Sequence, residues 1–174
     1  MVFFKNHLNR KAFTLIEMVL YVSLCSILLL SLSTFLSFLL ESRVRSQSIS
    51  EVNQQGLQVM SLITQTIRNG RSILTPSIGA SASTVSITTT NPLLNPTVFL
   101  LSSSTLSIQE AGKPAVALTN SRVQASALLF QNISSSSSTE KIIRITFTLD
   151  SRNPQGRNEY AFTKTFIGSA TLRQ

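Results

Sequence analysis

The sequence predicts an α+β protein: one long N-terminal helix, half wholly apolar and half amphipathic, packed on an antiparallel β-sheet head. Three observations carry this expectation. Phe13–Leu40 is an apolar run with a single charge, Glu17. Beyond it, Ile49, Val52, Gly56, Val59, Met60, Ile63 and Ile67 recur at spacings of three and four, which draws one stripe on a helix. From Ser72 onward, short segments alternate apolar residues with serine and threonine, separated by turn residues.

Composition narrows the function classes before any motif is read. Of 174 residues, 43% are hydrophobic and only 13% charged, about half the usual charged share. Serine fills the gap, with 28 copies. Such a chain is neither a coiled coil nor a wholly disordered polymer. The single cysteine, Cys25, lies within the apolar run, so no intrachain disulfide can form, and the single histidine, His7, precedes it. A zinc site, a Cys-His pair or a Ser-His-Asp triad therefore cannot be assembled from the region after Leu40. No catalytic residue, cofactor site or metal site is expected, and the protein reads as a non-enzyme.

Residues 1–12 carry Lys5, Arg10 and Lys11 ahead of the run. The 28 residues of Phe13–Leu40 exceed the roughly 20 that cross a bilayer as a helix. They are too long for a secretory signal, whose apolar stretch is about 7–15 residues. A plain signal anchor passes that test, and the basic residues on its N-terminal side favour an N-inside, head-outside orientation. A plain anchor leaves Glu17 unexplained. A carboxylate within an apolar span costs on the order of 3 kcal/mol and points to a partner charge. The residues three and four positions on are Leu20 and Tyr21, neither of them basic. A cut before Phe13 would place a new α-amino group four residues from Glu17.

The run Arg10-Lys11-Ala12-Phe13-Thr14-Leu15-Ile16-Glu17 resembles the class III signal of type IV prepilins and pseudopilins. In that family a basic leader is cut on the cytoplasmic side of the membrane, the new N-terminus is methylated, and a glutamate is the fifth mature residue. The resemblance implies cleavage between Ala12 and Phe13, N-methylation of Phe13, and an assembly role for Glu17. The family usually has glycine before the cut; Ala12 is the smallest alternative. Implied partners are the prepilin peptidase, other pilins or pseudopilins, an inner-membrane assembly platform and, before assembly, membrane lipid. The implied location is the cytoplasmic membrane as a single-pass protein, then the pilus or pseudopilus, with a pilin-like fold. Thr66–Ile73, Ile142–Ile145 and the tail Ala170–Gln174 are similar to the J-type, PilW-like minor pseudopilins.

The organisation expected is a leader at 1–12, a membrane and filament-core helix at 13–40, an amphipathic helix at 41–70 and a β-rich head at 71–174. A helix from Phe13 to Asn69 would be roughly 85 Å long. Asn69-Gly70 supplies its stop, and Arg68 suits the negative end of its dipole. Strands are expected at 84–90, 97–101, 105–109, 115–118, 123–130, 141–149 and 159–167, with Glu110–Lys113 as a hairpin turn and 151–158 as a longer one. Asn132-Ile133-Ser134 fits a glycosylation sequon, but beside the serine run Ser134–Ser138 it reads as a surface loop. Cys25 and Tyr21 read as packing residues.

The head's acids after Arg71 are Glu110, Glu140, Asp150 and Glu159, and Glu110 and Glu140 sit beside expected turns as solvated charges, which disfavours a two-carboxylate hydrolase site. Net charge is +8, or +5 once residues 1–12 are removed. Lys141, Arg144, Arg152 and Arg157 lie close enough in sequence to suggest a basic tip. DNA is accordingly a secondary candidate partner. The expected function is that of a structural subunit in a pilus, a type II secretion machine or a competence pseudopilus. The competing expectation is a membrane-anchored binding module.

Overall fold

The computed structural model describes residues 14–136 and 140–172. Helix α1 spans Leu15–Arg68, and the chain divides into two compact units, Met1–Ser42 and Arg43–Gln174.

In the first unit, the described residues are helical from Leu15 onward and expose their apolar side chains on all sides. The most apolar 18-residue window has a mean hydropathy of 2.3, so α1 is long and apolar enough to cross a membrane. Its hydroxyl residues do not spoil that character, because their hydrogen bonds return to the helix. Ser23 donates to the Leu20 carbonyl at 2.9 Å, Ser26 to Val22 at 2.8 Å, and Ser37 to Ser33 at 3.1 Å. Each side chain thereby needs no water, which is the condition for serine in lipid.

In the second unit, α1 buries Ser48, Val52, Gly56, Val59, Ile63 and Ile67, the stripe that periodicity predicts except that Ser48 is added and Ile49 and Met60 are only partly buried. It packs on two antiparallel sheets, not the one sheet expected. The first sheet contains β1 (Gly70–Thr75), β3 (Val85–Thr89), β4 (Thr97–Ser102), β5 (Thr105–Glu110) and β6 (Val116–Ala117), in the order β1-β3-β4-β5-β6. The second contains β2 (Ser81–Ala82), β7 (Val123–Asn132), β8 (Ile142–Ser151) and β9 (Thr163–Thr171), in the order β2-β7-β8-β9. One short strand crosses from the first half of the head to the second sheet. Strand β2 leaves its sequence neighbours and pairs Ser81 and Ala82 with Gln131 and Phe130 of β7. The 3₁₀ turn Pro92–Leu94, where proline suits a first helical turn, separates β3 from β4.

The core lies between the stripe and the inner faces of the sheets, with Phe99, Phe130, Phe147, Ile143, Ile145 and Leu149 among its fully buried members. Two glycines set how closely helix and second sheet approach. A Cβ on Gly56 would overlap the ring of Phe166, and one on Gly168 would lie 2.6 Å from the Met60 sulfur. Phe166 in turn stacks on Phe147, with ring centroids 5.3 Å apart.

Turn chemistry holds where it is local. Lys113 N–H closes on the Glu110 carbonyl at 2.8 Å, with Ala111 and Gly112 both at positive φ, as a tight hairpin turn requires. The last strand departs from expectation by starting at Thr163 instead of Glu159. Residues 158–160 form a 3₁₀ turn, where Arg157 ion-pairs with Glu159 and lies over the Tyr160 ring. Asn153 closes the preceding loop on both sides, accepting from Arg157 N–H at 2.9 Å and donating to the Arg157 carbonyl at 2.7 Å.

Candidate functional site

The candidate site is the start of α1. Ala12 and Phe13, the expected cleavage and methylation residues, lie outside the described residues. Thr14 and Glu17 are described, and they make local sense of each other. Glu17 lies three positions after Thr14, the spacing of a capping box. Thr14 Oγ1 accepts the Glu17 N–H at 3.4 Å, satisfying one of the donors that a helix start leaves without an intrahelical acceptor. The acidic side chain also suits the positive end of the helix dipole.

Glu17 is half-buried, whereas its neighbours Leu15 and Ile16 are exposed. The Tyr21 phenol donates to Glu17 Oε1 at 3.3 Å. From its sequence context Tyr21 reads as a packing residue; in the structure it is also a hydrogen-bond partner. A tyrosine four positions on can donate without carrying charge, so a search restricted to basic residues at that spacing passes over it. Thr14 was within reach of sequence reasoning too, through its three-residue spacing from Glu17 ahead of an apolar run. Cys25 is exposed on the same helix.

Within the second unit, the acids occupy separate local arrangements. Asp150 accepts from Thr163 at 2.6 Å across the β8–β9 pair, Glu159 pairs with Arg157, and Glu51 accepts from Asn120 and lies 4.0 Å from Arg122. Among the described residues no group of three or more His, Cys, Asp or Glu side chains is placed to hold a metal ion.

The suggested basic tip does not form. Lys141 directly precedes β8 and Arg144 is its third residue, whereas Arg152 and Arg157 follow its end, so at least eight residues of extended chain, about 26 Å, lie between the two pairs. Arg152 instead borders a cleft of about 360 Å³ together with Arg122, Glu51, Ser48 and Tyr160. The sequon reading also meets a correction. Asn132 and Ser134 are buried, not looped out: Asn132 donates to the Pro76 carbonyl at 2.9 Å and accepts from Ser134 N–H at 3.2 Å. Ser134 Oγ then accepts the Ile142 N–H at 2.8 Å, tying the start of β8 to the end of β7.

Comparison with known proteins finds no matching family model, no similar curated protein and no similar solved structure.

Proposed function

We propose that this chain is a minor pilin or pseudopilin, a non-enzymatic structural subunit of a type IV filament machine. The observation that supports this reading most is Glu17: one carboxyl group in the capped first turn of an otherwise uncharged apolar span, directly behind a basic leader and the Ala12-Phe13 junction. The arrangement is costly for a mere anchor, since an anchor gains nothing from a carboxylate in lipid. It is useful to a subunit whose partner brings a positive charge.

In this reading, prepilin peptidase removes residues 1–12 and methylates Phe13, and the head is held outside the cytoplasmic membrane. The assembly platform then moves the apolar helix from lipid into a filament, where neighbouring helices cover it. The Phe13 amine of one subunit meets Glu17 of another. Low dielectric strengthens that attraction while desolvation offsets part of it, so the pair mainly sets axial register and the apolar helices supply adhesion.

Mass spectrometry of the native N-terminus tests the reading. The mature chain is expected to begin at N-methylated Phe13; an intact Met1 in the assembled form, or a start beyond Ser31, would remove it.

A second reading is a membrane-anchored binding module, favoured by the cleft that Arg122 and Arg152 border. Salt-dependent DNA binding by residues 42–174, together with normal filaments from Glu17 variants, would select it.

A further inference from the structure

A carboxyl group in the first turn of a helix has two directions open to it. It can fold back over the helix N-terminus, as the glutamate of a capping box does, or run forward toward the residue four positions on. Here the hydroxyl half of the box is made, from Glu17 N–H to Thr14 Oγ1 at 3.4 Å. The carboxyl half is not used, because the Glu17 side chain runs forward and Oε1 accepts the Tyr21 phenol at 3.3 Å.

We propose that Tyr21 is a positioning residue for Glu17: its phenol holds the carboxyl forward along α1, with Oε1 occupied and Oε2 left to accept from a second copy or a related subunit. The inference rests on the reading of Glu17 as an intersubunit partner and deepens it.

The chemistry of a phenol suits this task. It donates a hydrogen bond and carries no charge, so it lowers the cost of a polar group in lipid without neutralising it. A lysine at the same place would supply the opposite charge from within the chain and remove the need for a neighbour. A carboxyl group offers about four lone-pair sites, so one phenol leaves acceptor capacity free. Without Tyr21, the nearest attraction is the positive end of the chain's own helix, and a carboxyl folded back there is satisfied by its own subunit. Tyr21 thus acts by selecting a side-chain conformer, an effect the size of one hydrogen bond.

Two measurements on the full-length chain test this. The sequence has two tyrosines, Tyr21 and Tyr160, so Tyr160→Phe in every sample leaves Tyr21 as the sole phenol. In phospholipid nanodiscs, ultraviolet resonance Raman spectra are expected to show Tyr21 as a hydrogen-bond donor and to lose that signature in Glu17→Ala. Spectra identical with and without the Glu17 carboxyl would overturn the proposal.

In cells, Tyr21→Phe is expected to lower incorporation into filaments about fivefold with leader cleavage unchanged, the effect of one lost hydrogen bond. Tyr21→Leu, which also removes the ring, should lower it no further. Normal incorporation of Tyr21→Phe, or a loss confined to Tyr21→Leu, would show that the hydroxyl is idle. Normal incorporation of Glu17→Ala would defeat the intersubunit reading itself and take the assembly role of Tyr21 with it, while the spectra would still decide whether the bond exists.

Discussion

At the scale of single residues, Glu17 carries the most information in the chain. An apolar helix gains nothing in membrane insertion from a carboxyl group, so its retention calls for a compensating contact. Tyr21 supplies part of that compensation within the chain, and the reading proposed above places the rest on a neighbour. Glu17→Ala is therefore expected to leave insertion and leader cleavage intact while lowering incorporation into filaments by on the order of tenfold or more, because it removes one member of a low-dielectric pair. Glu17→Gln should be nearly as poor, since it keeps the Tyr21 hydrogen bond and loses the charge. Quantifying the filament and membrane pools of each variant checks both. Equal incorporation of wild type and both variants would show that Glu17 is not a register charge.

At the scale of elements, glycine stands on both sides of the contact between α1 and β9, and each makes room for a large side chain from the other element. Gly56 admits the Phe166 ring and Gly168 admits Met60, while Lys164 donates to Asn53 at 2.6 Å and extends over the same ring. Gly56→Ala sets two effects against each other. Helix propensity favours alanine by about 1 kcal/mol. Overpacking a buried aromatic ring costs about 3 kcal/mol, since the Cβ would coincide with ring carbons that Phe147 holds in place from the other side. A net loss of about 2 kcal/mol is expected, seen as a fall of several degrees in Tm for residues 42–174. Leu57→Ala, one residue on at an exposed position, should change stability by less than about 0.5 kcal/mol. A stabilised Gly56→Ala protein would mean that helix and sheet are free to move apart.

At the scale of the whole molecule, the second unit is the part with a core, and α1 is one of its layers. Val52, Val59, Ile63 and Ile67 are each at most 2% exposed, so the helix cannot be removed without uncovering the sheets. A fragment of residues 42–174 is expected to be soluble, folded and of mixed α and β content by circular dichroism. One of residues 72–174 should aggregate, because the uncovered inner faces form an apolar patch larger than soluble monomers tolerate. Matching thermal stability of the two fragments would show that the amphipathic half-helix is no part of the fold.

Local pattern along the chain was enough to determine the long helix, most of its buried stripe, the alternation of β8 and the tight turn at Glu110–Lys113. Each of these depends on residues within a few positions of one another, where side-chain spacing and backbone preference act directly. The capped first turn and the Tyr21–Glu17 bond were legible by the same logic, at spacings of three and four. What only the tertiary structure decided is how distant segments combine. The strands separate into two sheets with the two residues of β2 paired to β7, Asn132 binds a carbonyl 56 positions away, and Gly56 meets a ring 110 positions on. Such contacts depend on shape and hydrogen-bond complementarity between surfaces that have no fixed sequence separation, and so leave no periodic mark. Asn132 shows the consequence most directly: beside a serine run it reads as a solvated loop, and in the fold its amide is a buried tie between Pro76 and the end of β7.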